Sequence, residues 1–390
     1  MNKRLLDQEV QEFLEKYYKQ DAGEIALKGS PFPQISSQEL ATQLAGKKKA
    51  VKKLANWFNT RGIIYPPVLN LEQTSSDVTA RYKATLVGGA RLADLTGGFG
   101  VDSYYFSQKV DQVYHLEKDE SLSQVAAHNL GLLGASNISF ISGDSLEFLR
   151  EHPGHFDWIY VDPSRRSELG GRVFRLEDCV PNVVEELDLL QSKSRNLLIK
   201  TAPLLDIQSG LRELSQVQEI HIVAVGNEVK ELLWVLGDTT EPVQVTTVNI
   251  TSRNIQQFKA PLEQTQEAAS GNPSRYLYEP NAAIMKSGLF GSLARQYQLK
   301  KLHPNSHLFT SQELMEFPGR RFVIKEQLPY KRKQMKKAFG GTKANISTRN
   351  FPFDVASLRK ELKIKDGGDS YLFFTTLSQE ERVVLVCEKV

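Results

Sequence analysis

The stretch from Arg91 to Asp102, R-L-A-D-L-T-G-G-F-G-V-D, constrains the chain more than any other. An apolar run closes on Asp94, a glycine-rich turn follows, and helical spacing resumes from Val101. This order is that of a buried strand, a loop and a helix. Glycine adopts positive φ readily and has no Cβ, so Gly97, Gly98 and Gly100 suit a loop whose backbone a ligand can approach. A tight turn with no ligand would use the same residues, so the glycines alone leave both readings open.

The spacing downstream narrows the choice. Val110 to Leu116, V-D-Q-V-Y-H-L, reads as a second strand that ends at Glu117 and Lys118. Ile138 to Ser142 runs into Gly143-Asp144-Ser145, and Phe156 to Val161 into Asp162-Pro163-Ser164-Arg165. Four successive strands thus each end in an acid, at the carboxyl edge where an open parallel α/β sheet of the Rossmann type binds ligands. An acid after the second strand can accept both hydroxyls of a ribose. The dinucleotide fingerprint G-x-G-x-x-G is broken, because Gly98-Phe99-Gly100-Val101-Asp102-Ser103 lacks the third glycine, and nicotinamide is disfavoured.

From about Leu71 to Ile250 this pattern resembles the class I S-adenosylmethionine-dependent methyltransferases. Asp94, Gly98 and Gly100 match that family's first motif, and Thr96 stands where its first glycine would be. The resemblance implies that Asp94 and the loop Thr96, Gly97, Gly98, Phe99, Gly100 hold the methionine end of the cofactor. It implies Glu117 for the ribose and Asp144 for the adenine amino group, with Asp102, Lys118, Ser145 and Asp162 completing the cofactor set. Catalysis is expected at Asp162, Pro163, Ser164 and Arg165. Asp162 can accept from a target amino or hydroxyl group, Pro163 fixes the turn, and Arg165 and Arg166 can bind RNA phosphates. A strand-end turn with surface arginines is the other reading of the same residues.

Amino-group methyltransferases carry D/N-P-P with an aromatic ring that stacks the base, whereas Ser164 and Arg165 occupy those places here. Methylation at pyrimidine C5 needs a cysteine nucleophile. Lys200-Thr201-Ala202-Pro203 after the fifth strand supplies none, and Cys179 falls in an expected helical approach.

The 390 residues, 40% of them hydrophobic, are enough for two or three domains. Residues 1–70 read as helical. Leu5, Leu6, Val10, Phe13, Leu14 and Tyr17 form one apolar stripe. Ser36-Ser37-Gln38-Glu39 has capping-box spacing ahead of a second helix, with Leu40, Leu44, Val51, Leu54 and Phe58 facing inward. The other face of that helix, with Lys47, Lys48, Lys49, Lys52 and Lys53, reads first as solvated and second as a phosphate track. Gln73 to Lys83 reads as a capped helix start. Helices are expected at Val180 to Leu190 and Leu204 to Leu214, and strands at Arg195 to Thr201 and Glu219 to Val225. Glu231 to Leu236 and Val243 to Ile250 are joined by a turn, which implies an antiparallel edge. Residues 251–275 read as a polar connector. In the remainder, strands are expected at Arg321 to Leu328, Ala344 to Phe351, Tyr371 to Leu377 and Arg382 to Glu388, in a small α+β module with its own core.

Cys179 and Cys387 have neither disulfide-scaffold nor zinc spacing, which suits a reducing cytoplasm, and His303 and His307 lack a third metal ligand. No apolar run approaches the roughly 18–20 residues of a membrane span, and no signal region opens the chain. Net charge is +3, but Gly319 to Val390 holds sixteen Lys/Arg against eight Asp/Glu, a surplus of +8 that leaves −5 for the first 318 residues. Lys331, Arg332, Lys333, Lys336 and Lys337 concentrate that surplus and are candidate RNA contacts, with a solvated face as the alternative.

The order of these parts, with D-L-T-G-G-F-G-V-D, D-P-S-R-R, Y-L-Y-E-P-N-A-A-I and T-R-N-F-P-F followed by L-R-K-E-L-K-I-K-D-G-G, closely resembles the THUMP-like-domain class I methyltransferases over nearly the whole chain. The expected fold class is therefore α/β: a Rossmann-like methyltransferase core at 71–255, a helical region at 1–70, and a THUMP-like α+β module at 319–390. Between them, 256–318 is expected to be linker and a small unit, ferredoxin-like in one reading. The expected activity is methyl transfer from S-adenosylmethionine to RNA such as tRNA. A fold that binds RNA or protein without catalysis, and a small-molecule or protein methyltransferase, remain alternatives.

Overall fold

The computed structural model describes residues 1–165, 175–262 and 268–390. They form two compact units, Met1–Gln218 with Leu232–Glu241, and Glu219–Glu231 with Pro242–Val390.

The first unit opens with a 3-10 turn and five helices: α1 (Gln8–Tyr17), α2 (Ala22–Lys28), α3 (Ser37–Lys53), α4 (Ala55–Asn59) and α5 (Val68–Gln73). The N-terminal stripe is split between the turn and α1, and Leu5, Val10 and Leu14 are buried. Ser36 and Glu39 form the full capping box that starts α3. Two expectations for this helix are corrected. Val51 is 42% exposed, because α3 stops at Lys53 and the chain breaks at Leu54, so Leu40 to Phe58 is not one helical face. Nor are the lysines uniformly solvated. Lys47 is buried with its ammonium 5.4 Å from the Phe58 ring centre, and Lys53 donates to the carbonyls of Leu71 and Glu72. Long aliphatic stems let such residues lie along apolar surface, which composition does not reveal.

After α6 (Asp77–Ala84), capped by Ser76, come β1 (Gly89–Asp94), α7 (Val101–Phe106), β2 (Val110–Glu117), α8 (Glu120–Leu132), β3 (Ile138–Ser142), α9 (Ser145–Glu151) and β4 (Phe156–Val161). Next are β5 (Ser164–Arg165), β6 (Cys179–Val180), α10 (Leu187–Lys193), β7 (Ser194–Thr201), α11 (Ile207–Glu213), β8 (Val217–Val225) and β9 (Glu228–Gly237). In this unit the sheet runs β9-β7-β4-β1-β2-β3. All its neighbours pair in parallel except β9, which runs antiparallel to β7. The central strands read as apolar runs because both faces are covered. The helix expected over Val180–Leu190 begins only at Leu187. Cys179 and Val180 pair instead with Ser164 and Arg165, so Cys179 sits in a strand.

In the second unit, β10 (Gln244–Ile250) pairs in parallel with β8 and antiparallel with β11 (Ile255–Pro261). The antiparallel edge is therefore β11, from within the expected connector. Its Gln residues hid the strand, yet Phe258 and Ala260 alternate inward between exposed Gln257 and Lys259. A second sheet is built from β12 (Tyr276–Pro280), β13 (Lys300–Lys301), β14 (Phe309–Ser311), β15 (Gly319–Pro329), β16 (Asn345–Arg349), β17 (Ser370–Thr376) and β18 (Arg382–Lys389), in the order β13-β14-β12-β15-β18-β17-β16. Its helices are α12 (Ala282–Ser287), α13 (Phe290–Gln296), α14 (Arg332–Phe339) and α15 (Val355–Leu362).

One face of this sheet carries a core confined to the C-terminal residues, including Met335, Leu358, Leu362 and Phe374. The other core joins Leu277, Leu302 and Leu308 to Phe322, Phe373 and Leu385. The C-terminal module thus shares a sheet and a core with residues 276–318 and is not packed on its own. Among the described residues no helix is long and apolar enough to cross a membrane.

Candidate active site

Asp94 ends β1 fully buried. Its Oδ1 accepts from the Thr96 amide at 3.1 Å and its Oδ2 from the Ser103 hydroxyl at 2.5 Å. Burial, with the charges of Asp102 and Asp162, pushes its pKa up to about 7 against the pull of those two hydrogen bonds. Ser103 Oγ also lies 3.0 Å from His115 Nδ1. Burial drives His115 down to about 3, and its Nε2 has no hydrogen-bond partner among the described residues, which a neutral ring tolerates better than a charged one.

The three glycines serve different ends. A Cβ on Gly97 would stand 2.3 Å from the His115 ring, and one on Gly100 (φ +82°) 2.8 Å from Leu130, so both are needed for packing. Gly98 (φ +55°) is different. A Cβ there would meet nothing nearer than the Thr96 carbonyl at 3.8 Å, so the backbone faces open space, and its amide donates to Glu117 Oε2 at 2.8 Å. Phe99 turns the other way, buried near Trp57.

Glu117, half-buried, also accepts from the Asp119 amide at 2.8 Å, and Lys118 is exposed. Asp144 is exposed at the N-terminus of α9, its Oδ1 accepting from the amides of Leu146 and Glu147, and Ser145 begins that helix. The Asp162 amide donates to Thr96 Oγ1 at 2.7 Å, tying the end of β4 to the glycine loop. The Asp162 carboxylate forms an ion pair with Lys200, from the end of β7. Pro163 is half-buried, Ser164 is exposed, and the backbone of Arg165 pairs with Cys179. Arg166 lies outside the described residues.

One expected cofactor contact is corrected. The Asp102 carboxylate accepts from Ser75 Oγ at 2.8 Å and Tyr160 Oη at 2.9 Å and lies 3.2 Å from the Lys83 ammonium. Lys83 is completely buried, so Asp102 is a brace between α6, α7 and β4, its carboxylate occupied by protein partners. Lys83, Lys200, Ser103 and His115 are the residues of this cluster that sequence reasoning passed over. Only Lys200 carried a legible signal, as the charged end of the apolar run L-L-I-K.

In the second unit α14 anchors through Met335 and leaves Lys331, Arg332, Lys333, Lys336 and Lys337 exposed, with Arg332 paired to Glu361. His307 stacks on Phe290 at 4.1 Å, His303 accepts from the Asn305 amide, and no group of three metal-capable side chains occurs among the described residues.

Residues 276–318 match a ferredoxin-like domain profile and residues 319–389 a THUMP domain-like profile. A provisionally named methyltransferase of Porphyromonas gingivalis W83 is 32% identical, with a TM-score of 0.89 over 100% of this chain and 99% of its own. A tRNA (guanine(26)-N(2))-dimethyltransferase of Methanobrevibacter smithii is 32% identical over 75 residues, 18% of this chain, and the chain spans 19% of that relative's length. The full-length likeness to the Porphyromonas protein, together with the domain match at the C-terminus, shows that the chain belongs to the THUMP-like-domain class I methyltransferases.

Proposed function

We propose that this protein transfers a methyl group from S-adenosylmethionine to a structured RNA such as tRNA. The observation that carries the proposal is the loop at β1. Gly98 offers an open backbone beside Glu117, and Thr96 joins that loop to Asp162. These residues fit the cofactor: the loop from Thr96 to Gly100 would hold its methionine end, with the buried Asp94 carboxylate shaping that loop through the Thr96 amide and the Ser103 hydroxyl, and Glu117 would hold its ribose and Asp144 its adenine. When bound, it supplies a methyl carbon on a sulfonium. The protein's own task is to hold an acceptor in line with that carbon and to keep water away.

Support for RNA comes from the second unit. The THUMP domain-like match, the five exposed cations on and beside α14, and the tRNA named for the Methanobrevibacter relative all point that way. The same proposal places the protein in the cytoplasm, where thiols such as Cys179 and Cys387 stay reduced. Calorimetric titration with S-adenosylmethionine, for the parent and for Gly98→Asp, tests the cofactor. Binding by the parent and its loss in the variant are expected, and a parent that does not bind at millimolar cofactor overturns the proposal.

A further inference from the structure

We infer that the methyl acceptor is a hydroxyl, the ribose 2′-hydroxyl of RNA, and that Asp162 and Lys200 form the pair that receives it. The inference rests on the RNA-methyltransferase reading and gives it a substrate atom.

Strands β4 and β7 are parallel neighbours with Val161 level with Ile199, so Asp162 and Lys200 leave the carboxyl edge at the same height. Their side chains pair there while remaining 28% and 15% exposed, shielded from bulk water yet reachable. A second ammonium is close enough to act on the first. Lys53, at the end of α3, is held by the carbonyls of Leu71 and Glu72, and Lys200 is among the charges that lower its pKa after burial has done most of the work. Beside the Asp162 carboxylate the site therefore has the Lys200 ammonium in direct contact and the Lys53 ammonium acting on it, while the nearby Asp102 carboxylate is paired with Lys83.

That polarity discriminates between acceptors. When a neutral amino group attacks a sulfonium, positive charge grows on nitrogen, and a neighbouring ammonium opposes it. When a hydroxyl attacks, its oxygen loses a proton and gains negative charge on the way, and an ammonium favours it. The turn after Asp162 agrees. Amino-group enzymes place a ring there to stack the base, and Arg165 stands in its place, its backbone paired with Cys179 of β6. Within an RNA chain the 2′-hydroxyl is the hydroxyl on offer, and it also distinguishes RNA from DNA.

In the step, the hydroxyl donates its proton to the Asp162 carboxylate, which passes it to water, while Lys200 steadies the developing alkoxide. The O–C bond forms as the C–S bond breaks, and its electron pair stays on sulfur. The sulfonium becomes a neutral thioether and one proton is released. The proposed atom differs from the amino group named for the Methanobrevibacter relative.

The test is to incubate the full chain with S-adenosylmethionine tritiated in its methyl group and total RNA from cells lacking the gene, then to hydrolyse the RNA with alkali. A 2′-O-methyl group blocks cleavage at its own phosphodiester, so label in alkali-stable dinucleotides is expected. Label in mononucleotides overturns the hydroxyl assignment and leaves the RNA reading standing, whereas no label in any RNA overturns both. Lys200→Met should keep its calorimetric affinity for S-adenosylmethionine while transfer falls by about a hundredfold or more. Lys200→Arg retains the ion pair and controls for folding. It should recover part of the transfer, and a Lys200→Met protein that melts like the parent and transfers at its rate removes the pair from the reaction.

Discussion

Asp94 and His115 sit either side of the Ser103 hydroxyl, and their displaced protonation makes opposite demands on stability. Asp94 moves from 3.8 to about 7, so between those values the folded state holds more protons, and its contribution falls as pH rises. His115 moves from 6.5 to about 3, so over that interval the unfolded state holds more protons, and its contribution rises with pH. The two slopes overlap from about pH 4 to pH 6.5, each limited to about 1.4 kcal/mol per pH unit, and largely cancel. Asp94→Asn should therefore unmask a stability that climbs with pH over that range. Urea midpoints for parent and variant at fixed ionic strength measure it, and parallel curves would mean Asp94 is ionised throughout. The glycines give a second contrast at this scale. Gly97→Ala drives a Cβ into the buried His115 ring and should cost about 1–3 kcal/mol in unfolding free energy, with no slack to relieve it. Gly98→Ala meets open space and suffers only its positive φ, about 1–2 kcal/mol, but should weaken S-adenosylmethionine binding because its methyl enters the proposed cofactor space.

Helices α6 and α7 and strand β4 are joined by the buried Lys83–Asp102 pair with Ser75 and Tyr160 around it. Lys83→Met leaves a buried carboxylate without its cation and should destabilise by about 3–5 kcal/mol, whereas adding Asp102→Asn should return much of that loss. A double variant whose loss in urea unfolding equals the sum of the Lys83→Met and Asp102→Asn losses would show that the two groups are not coupled. This brace also marks how far the sequence could be read. Strands β1, β2, β3 and β4 were legible within two residues because buried parallel strands are apolar runs, and here each stops at an acid. Strand β11 was not, since an edge strand needs only Phe258 and Ala260 to face inward and can be polar elsewhere. The two-residue pairing of β5 with β6 carries no periodicity at all. In the site, acids at strand ends could be listed, but which carboxylate faces a loop and which a buried lysine depends on contacts between residues far apart in the chain. Asp102 meets Lys83 nineteen residues earlier, and Asp162 meets Lys200 thirty-eight residues later.

For the whole molecule the decisive quantity is where the charge lies. A net +3 would barely attract a polyanion, but it is the sum of +8 over residues 319–390 and −5 over the rest, so RNA should be drawn to the C-terminal residues. Lys333, Lys336 and Lys337 are exposed on α14, which is held by Met335, and reversing all three to Glu should leave stability nearly unchanged, each surface change being within about 0.5 kcal/mol. RNA affinity should fall steeply by contrast. Each lost phosphate contact removes roughly 0.7–0.9 from the slope of log K against log salt, so a triple variant in which all three bind phosphate should flatten it by about 2–2.7. Titrations of labelled tRNA at several salt concentrations, with S-adenosylmethionine affinity measured in parallel, separate the outcomes. A flattened slope with cofactor affinity intact assigns the α14 face to RNA. An unchanged slope would move the RNA surface elsewhere, and the cations of α14 would then be a solvated helix face.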